Sequence, residues 1–321
     1  MLKTACLIFN PVAGQGNAEI DLARIRSILE PDIELEILLT SPDTNTEQMA
    51  RQAIERGVEA LIASGGDGTV SAVAEATITT GIPLGIIARG TANAFATALG
   101  IPLDLNAACE TIRTGMTRKV DTALCNGKPM ILLAGIGFEA ETVEKADRAT
   151  KDRLGMLAYV LAGLAQLREM ERFAVEIETG DRVIRTEAVA VTVANVAPPT
   201  SILAQGPAGL VGDDGLLDIT IVAPANVLGA IAVSYNLLST ALSGEASLRD
   251  DVGYLRSDRV RITTDPPQKV VVDGEILGTT PIEVSCLPGA LTIFVPFIEE
   301  PAPVEKLEGL PNLEIEPKEL G

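Results

Sequence analysis

The sequence predicts an α/β protein of two domains: an N-terminal domain built on a parallel sheet, then a C-terminal antiparallel β-sandwich. Three observations carry this. Through about residue 100 the chain repeats buried strand, polar loop and amphipathic helix. From Lys119 it changes to short strands joined by tight turns. Its 321 residues, 47% of them hydrophobic, suffice for two cores.

Thr4 to Phe9 reads as a buried strand, Asn10 to Asn17 as a glycine-bearing loop, and Ala18 to Leu29 as a helix with Ile20, Ala23, Ile25 and Ile28 as its apolar positions. The loop lacks the Gly-Lys-Ser/Thr of a P-loop, and Glu19 stands where a dinucleotide fingerprint needs its third glycine. A second strand, Glu34 to Leu39, leads through Thr40-Ser41-Pro42 to a helix capped by Thr44, with Glu47 three residues on and Gly57 at its end. Then come the apolar run Ala60 to Ala63, the loop Ser64-Gly65-Gly66-Asp67-Gly68-Thr69 and a helical run, Val70 to Thr77. Pro83 to Ala88 makes a fourth strand, followed by a second glycine loop, Arg89 to Phe95, and a helix that stops near Gly100-Ile101-Pro102. Parallel strands with right-handed crossovers bind ligands at their carboxyl ends, so Asn10, Asp67, Thr69 and Asn93 are expected on one rim.

The Ser64 to Thr69 loop organises this half. Its glycines let the backbone approach a bound group, and the following helix points unpaired N–H groups back at it. The helix dipole adds only about 0.3 to 1 kcal/mol per charge, so several N–H groups and a metal must share the work of holding a phosphate. A carboxylate at Asp67 faces a phosphate only across a cation. Taken alone, the loop reads equally as a strand-to-helix turn with Asp67 as its N-cap.

In the second half, Val120 to Cys125, Asn126-Gly127 and Pro129 to Ala134 form a type I′ hairpin pattern. A helix over roughly Arg153 to Met170 precedes Phe173 to Glu178 and Val183 to Val193, which flank Gly180-Asp181. The strand series continues with Leu216 to Val222, Arg259 to Thr264, Lys269 to Val272, Ile282 to Cys286 and Leu291 to Val295, interrupted by a helix, Asn226 to Leu242. The expected domains are 1–120 and 121–300, with a Pro- and Glu-rich tail, 301–321, expected to be disordered.

A net charge of −19 argues against nucleic acid as a partner and against tight docking on an anionic membrane. A local basic patch, Lys145, Arg148, Lys151 and Arg153 with Arg168 and Arg172, reads as a solvated helix face or as a membrane-facing patch. The absence of histidine excludes histidine-based triads and metal sites, which leaves carboxylate, Lys, Tyr or Cys as a general base. Leu154 to Ala165 and Val227 to Leu242 are too short or too interrupted to span a membrane, and Leu7 to Phe9 is too short for a signal peptide, so a cytoplasmic protein is expected. Cys6, Cys109, Cys125 and Cys286 are far apart and suggest neither a disulfide framework nor a zinc site.

Taken in order, Asn10-Pro11 with Gly14 and Gly16, then Gly65-Gly66-Asp67-Gly68-Thr69, then Pro83-Leu84-Gly85-Ile86 running into Gly90-Thr91-Ala92-Asn93 resemble the diacylglycerol-kinase catalytic domain. The resemblance extends to Val120-Asp121, Asp213-Asp214-Gly215-Leu216-Leu217-Asp218 and Val272-Asp273-Gly274-Glu275, and is strongest to the soluble bacterial lipid kinases that also resemble sphingosine kinases. The Gly-Gly-Asp-Gly-Thr loop is shared with NAD kinases and phosphofructokinases.

The resemblance implies Mg²⁺-dependent transfer of phosphate from ATP to a hydroxyl of a diacylglycerol-like or sphingoid-like lipid at a membrane surface, in the cleft between the two domains. By position it gives Asn10 and Thr40 to the nucleotide, Gly66, Asp67, Gly68 and Thr69 to the phosphates, Thr91 and Asn93 to the rest of the pocket, Asp67 to the catalytic Mg²⁺ and Glu275 to the base. It gives a second, structural Mg²⁺ to Asp214 with the carbonyls of Val211 and Leu216, and links Asp121 to that site. Phosphoryl transfer needs positioning, charge neutralisation and a carboxylate near the attacking hydroxyl, which agrees. Without the resemblance, Asp273-Gly274-Glu275 reads as a hairpin turn. The family's usual Asp after the loop Asn is Ala94 here, as in sphingosine kinases, its usual Asn and Glu after the first loop are Ser71 and Ala72, and its usual Pro before the second loop is Ala88. A kinase of a soluble metabolite such as NAD, and a nucleotide- or lipid-binding sensor without catalysis, remain as alternatives, and a homodimer is left open.

Overall fold

The computed structural model describes residues 2–14, 16–137, 172–198, 201, 212–224, 249–296, 307 and 312–317. The apolar segments Leu154 to Ala165 and Val227 to Leu242, the basic residues Lys145 to Arg168 and the predicted ligand Val211 lie outside them. The chain forms two units, 1–122 with 288–299, and 123–287 with 300–321.

The first unit contains β1 (Thr4–Phe9), α1 (Ala18–Leu29), β2 (Glu34–Leu39), α2 (Thr46–Glu55), β3 (Ala60–Gly65), α3 (Asp67–Thr77), β4 (Leu84–Ala88), α4 (Ala94–Ala98) and α5 (Leu105–Thr114). The strands run parallel in the order β2-β1-β3-β4. Strand side chains alternate between faces. Ala5, Leu7, Phe9, Ala60 and Ile62 form one core with Ile25 and Leu29 of α1 and Ala108, Cys109 and Ile112 of α5. Cys6, Ile8, Leu61 and Ala63 are buried on the other face, where α2 and α3 pack together.

Two local expectations change here. The N-cap of α2 is Asn45, whose side chain accepts the Gln48 N–H at 2.9 Å. Thr44 instead closes the turn before it, accepting the Ser41 N–H and donating to the Ser41 carbonyl, both at 2.8 Å. Helix α5 is an element the hydrophobic pattern does not predict, although its cap, Asp104, accepts the Ala107 N–H at 3.0 Å and Gly115 ends it at φ 69°.

β5 (Thr117–Cys125) carries the chain from the first unit into the second. The second unit adds β6 (Lys128–Met130), β7 (Leu133–Gly137), β8 (Phe173–Glu178), β9 (Arg182–Ala188), β10 (Ala190–Ala194), β11 (Leu217–Val222), β12 (Val252–Ser257), β13 (Arg259–Asp265), β14 (Lys269–Val272) and β15 (Glu275–Thr279). β16 (Ile282–Phe294) begins in the second unit and ends in the first, and β17 (Glu314–Pro317) completes the second.

One sheet of the second unit runs β12-β11-β10-β7-β14-β15 with every pairing antiparallel, and the other runs β17-β9-β8-β13-β16. Ile136, Val191, Val193, Ile219 and Leu255 of the first sheet share one core with Val175, Ile177, Ile184, Val260 and Val284 of the second. This is the expected β-sandwich.

The predicted strand Val183 to Val193 divides at Val189, whose N–H goes to the Val222 carbonyl at 2.9 Å, so that β9 and β10 join different sheets. The two strands predicted over Ile282 to Val295 are one. Gly289, at φ 57°, keeps the strand continuous where Pro288-Gly289 reads as a turn, and Asp121 accepts its N–H at 2.7 Å. Of the tail expected to be disordered, only 307 and 312–317 are among the described residues, and these are ordered. Leu307 is buried, Leu313 packs against the core, and Glu314 pairs in register with Arg185 of β9.

Candidate functional site

The rim of the first unit is set by its own ladder, which continues one residue past each strand. Asn10 donates its N–H to the Ser64 carbonyl at 2.8 Å, Thr40 to Phe9 at 2.9 Å and Arg89 to Gly65 at 2.7 Å. The loops after β1, β2, β3 and β4 therefore leave the sheet in register at its carboxyl edge.

Gly66 is the N-cap of α3, and Asp67 is the first helical residue. Asp67 does not cap its own helix. Its Oδ2 accepts the Asn93 N–H at 2.9 Å and its Oδ1 the Ala94 N–H at 2.6 Å, so it caps α4 instead. The charge thus lies where two helices begin, a favourable place for an anion. The N–H groups of Asp67 and Gly68 have no acceptor within α3. Those of Thr69 and Val70 already reach the Gly66 carbonyl at 3.0 and 3.1 Å. Gly68 is exposed, and nothing lies within 4 Å of where its Cβ would stand.

The two glycine loops meet backbone to backbone. A Cβ on Gly90 would stand 2.7 Å from the Gly66 Cα and 2.9 Å from the Asn93 Oδ1. Asn93 adopts the left-handed conformation at φ 50° and shapes its own loop: Oδ1 accepts the Gly90 N–H at 2.7 Å, and Nδ2 donates to the Gly90 carbonyl at 3.0 Å. Thr91 is exposed beside it, whereas Thr40 is buried. Thr69 is buried too, and its Oγ1 accepts from the Asn10 Nδ2 at 3.1 Å. Asn10, Asp67, Thr69 and Asn93 are thus brought together, but Asn10 with Thr69 and Asn93 with Gly90 use their side chains on each other.

In the second unit, Glu275 opens β15, is exposed and pairs with Val272 across Asp273 and Gly274, whose φ values are 48° and 87°. The hairpin reading is the local structure, and it presents Glu275 to solvent. Asp273, not expected to have a role, accepts the N–H groups of Ile131, Leu132 and Leu133 at 2.7, 2.9 and 2.9 Å. Burial pushes its carboxyl upward, and those three donors pull it back. They also explain why the predicted strand 129–134 breaks between β6 and β7.

Asp214 accepts the Leu216 N–H at 3.1 Å and forms an ion pair with Arg256. Arg256 also reaches Asp218 at 3.2 Å, and the Tyr254 hydroxyl donates to the same Asp218 oxygen. A guanidinium therefore neutralises the carboxylate that the resemblance gives to a second magnesium. Among the described residues no group of three acidic, cysteine or histidine side chains could hold a metal. Asp67 alone still fits a magnesium ion: each of its oxygens keeps a lone pair beyond the N–H it accepts, and Mg²⁺ is commonly held by one carboxylate plus substrate phosphates and water.

The sequence assigns no role to Arg89, Asp218, Arg256 or Asp273. Each acts through partners remote in sequence, so periodicity and spacing carry no signal for them.

Comparison with known proteins follows the same division. Residues 4–125 match the diacylglycerol kinase catalytic domain model, and residues 133–295 match the YegS C-terminal NAD kinase beta sandwich-like domain model. An uncharacterized protein of Synechocystis sp. is 52% identical over 92% of this chain and 70% of its own. The diacylglycerol kinase of Bacillus subtilis is 30% identical over 96% of this chain and 99% of its own. The crystal structure of a diacylglycerol kinase from Bacillus anthracis superposes with a TM-score of 0.73 at 26% identity, covering 92% of this chain and 97% of that one.

Proposed function

The chain belongs to the diacylglycerol kinase catalytic family, in the lipid kinase branch with the YegS-type C-terminal β-sandwich, and on that premise we propose that it transfers phosphate from Mg²⁺·ATP to a lipid hydroxyl. The observation that carries this reading is the Asp67 carboxylate held by the N–H groups of Asn93 and Ala94. It joins the two glycine loops into one rim with free amides at Asp67 and Gly68 beside a fixed negative charge, an arrangement suited to a phosphate with a cation against it. Bound magnesium would neutralise phosphate charge as it develops. Gly66 and Gly90 allow the close backbone approach, Asn10 and Thr69 brace the first loop, and Thr40 and Thr91 are the polar groups at its margins. By the family resemblance Glu275 takes the proton of the acceptor hydroxyl, and a carboxylate base agrees with a chain that has no histidine.

Among the described residues no helix is long and apolar enough to cross a membrane. A lipid acceptor would be met at a membrane surface from the aqueous side, which suits a cytoplasmic enzyme.

Transfer of label from γ-labelled ATP to a panel of diacylglycerols, sphingoid bases and other lipid alcohols, with NAD as the soluble acceptor, tests the reading. Labelled lipid that disappears with Glu275→Ala is expected. Labelled NAD with no labelled lipid would replace the lipid reading with a metabolite kinase, and ATP binding without any product would point to a sensor.

A further inference from the structure

Arg89 sits at the base of the second glycine loop, and its side chain turns to the first one. It is only 7% exposed. Its Nε and one terminal nitrogen meet the Asp21 Oδ2 at 3.0 and 2.9 Å, its other terminal nitrogen donates to the Asn10 carbonyl at 3.0 Å, and its Cζ lies over the Phe9 ring, 4.3 Å from the centroid. Its backbone N–H bonds to the Gly65 carbonyl at 2.7 Å, and the Gly14 backbone, at φ 90°, comes so close that a Cβ there would stand 3.2 Å from the Arg89 carbonyl.

These contacts fall at three points along one segment. Asn10 begins the loop after β1, Gly14 lies at its middle, and Asp21 is in the first turn of α1, where the loop ends. A buried guanidinium needs its charge paired; here Asp21 pairs it, and Nε and one terminal nitrogen donate hydrogen bonds to Asp21 and to the Asn10 carbonyl. The guanidinium of Arg89 bridges the start of this loop at Asn10 and its end at Asp21, while the Arg89 backbone lies close to Gly14 at its middle. It also holds the Asn10 peptide whose side chain reaches Thr69 at 3.1 Å.

We propose that Arg89 is the positioning residue of the nucleotide site, clamping the Asn10 to Gly16 loop against both glycine loops so that affinity for nucleotide depends on the Arg89–Asp21 pair. This rests on the kinase reading of the rim. Lysine cannot replace it, because a point charge supplies neither the fork that spans Asp21 and Asn10 nor the flat face over Phe9.

Calorimetric titration with Mg²⁺·ATP of the unaltered chain, Arg89→Lys, Asp21→Asn and the double variant tests this, together with Michaelis constants for ATP and for the lipid acceptor. Loss of a charge-assisted contact predicts roughly tenfold weaker ATP binding in each single variant. The double variant should be little worse than either, because both remove the same contact, and the acceptor's Michaelis constant should not move. Asp21 is 28% exposed at its side chain, so Asp21→Asn remains informative if Arg89→Lys folds poorly. Wild-type affinity in the single variants, additive losses in the double variant, or parallel changes in both Michaelis constants would overturn the inference alone. Failure of the unaltered chain to bind ATP would overturn the kinase reading and the inference with it.

Discussion

The Asp67 carboxylate accepts the backbone N–H of Ala94 at 2.6 Å. Ala94 brings no carboxylate of its own to this position; its peptide N–H instead fixes the Asp67 carboxylate. The Asp67 carboxylate is thus held through both of its oxygens, by the N–H groups of Asn93 and Ala94.

The backbone contact of the two glycine loops separates fold from binding. Gly90→Ala would put a methyl group 2.7 Å from the Gly66 Cα, and the loops must part. Gly68→Ala meets nothing within 4 Å and lies in the first turn of α3, so it should gain up to about 1 kcal/mol of helix stability. Both should weaken ATP binding, the first by displacing the loops and the second by filling the space above the free amides. Thermal melting with ATP titration checks this; unchanged ATP affinity in Gly68→Ala would place the phosphates elsewhere.

Asp273 is a structural clamp. Its removal in Asp273→Ala leaves three N–H groups without their acceptor and should cost on the order of 3 kcal/mol. Asp273→Asn should cost less, because Oδ1, which takes the Leu132 and Leu133 amides, can be preserved while only the Ile131 contact is lost. Urea denaturation measures both, and equal losses would contradict the geometry.

Burial raises the Asp218 carboxyl from 3.8 to about 7, outweighing the Tyr254 hydrogen bond and the Arg256 guanidinium 3.2 Å away, which both favour the charged form. The folded chain then binds this proton more tightly than the unfolded chain. Its stabilising contribution is full below the unfolded value and is lost as pH rises through about 7. Relative to the parent, Asp218→Asn should therefore gain stability between about pH 4 and 7, by at most about 1.4 kcal/mol per pH unit, and gain no more above that. Paired denaturation curves across this range test the sign; a constant difference would contradict it.

The thiols should differ in reactivity. Burial raises Cys6 and Cys109 to about 12 and Cys125 to about 11, whereas Cys286 is half-buried. At about pH 8 a thiol reagent should modify Cys286 alone in the native protein and all four thiols after denaturation. Fast native labelling of Cys6 or Cys109 would show that the first unit's core is open.

What the sequence made legible was local. β1, α1 and β2 fall where the hydrophobic period places them, and Asn126-Gly127 forms the turn its residues favour. The misses came from long-range partners. Asn126-Gly127 predicts the hairpin but not its early end, which Asp273 imposes from the far side of the second unit's sequence. The Pro288-Gly289 pair reads as a break, yet Asp121 carries the strand across it. At the site, the glycine loops and Asp67 were visible, but the use of the Asp67 carboxylate on Asn93 and Ala94 was not, since a bond to a backbone N–H leaves no trace in residue type.

The most direct test of the central claim is transfer of label from γ-labelled ATP to lipid by the unaltered chain and by Asp67→Asn, with and without magnesium. The account predicts a magnesium-dependent lipid product from the former and a loss of at least about 100-fold in the latter, with ATP binding weakened but the fold retained. Undiminished lipid phosphorylation by Asp67→Asn would contradict it.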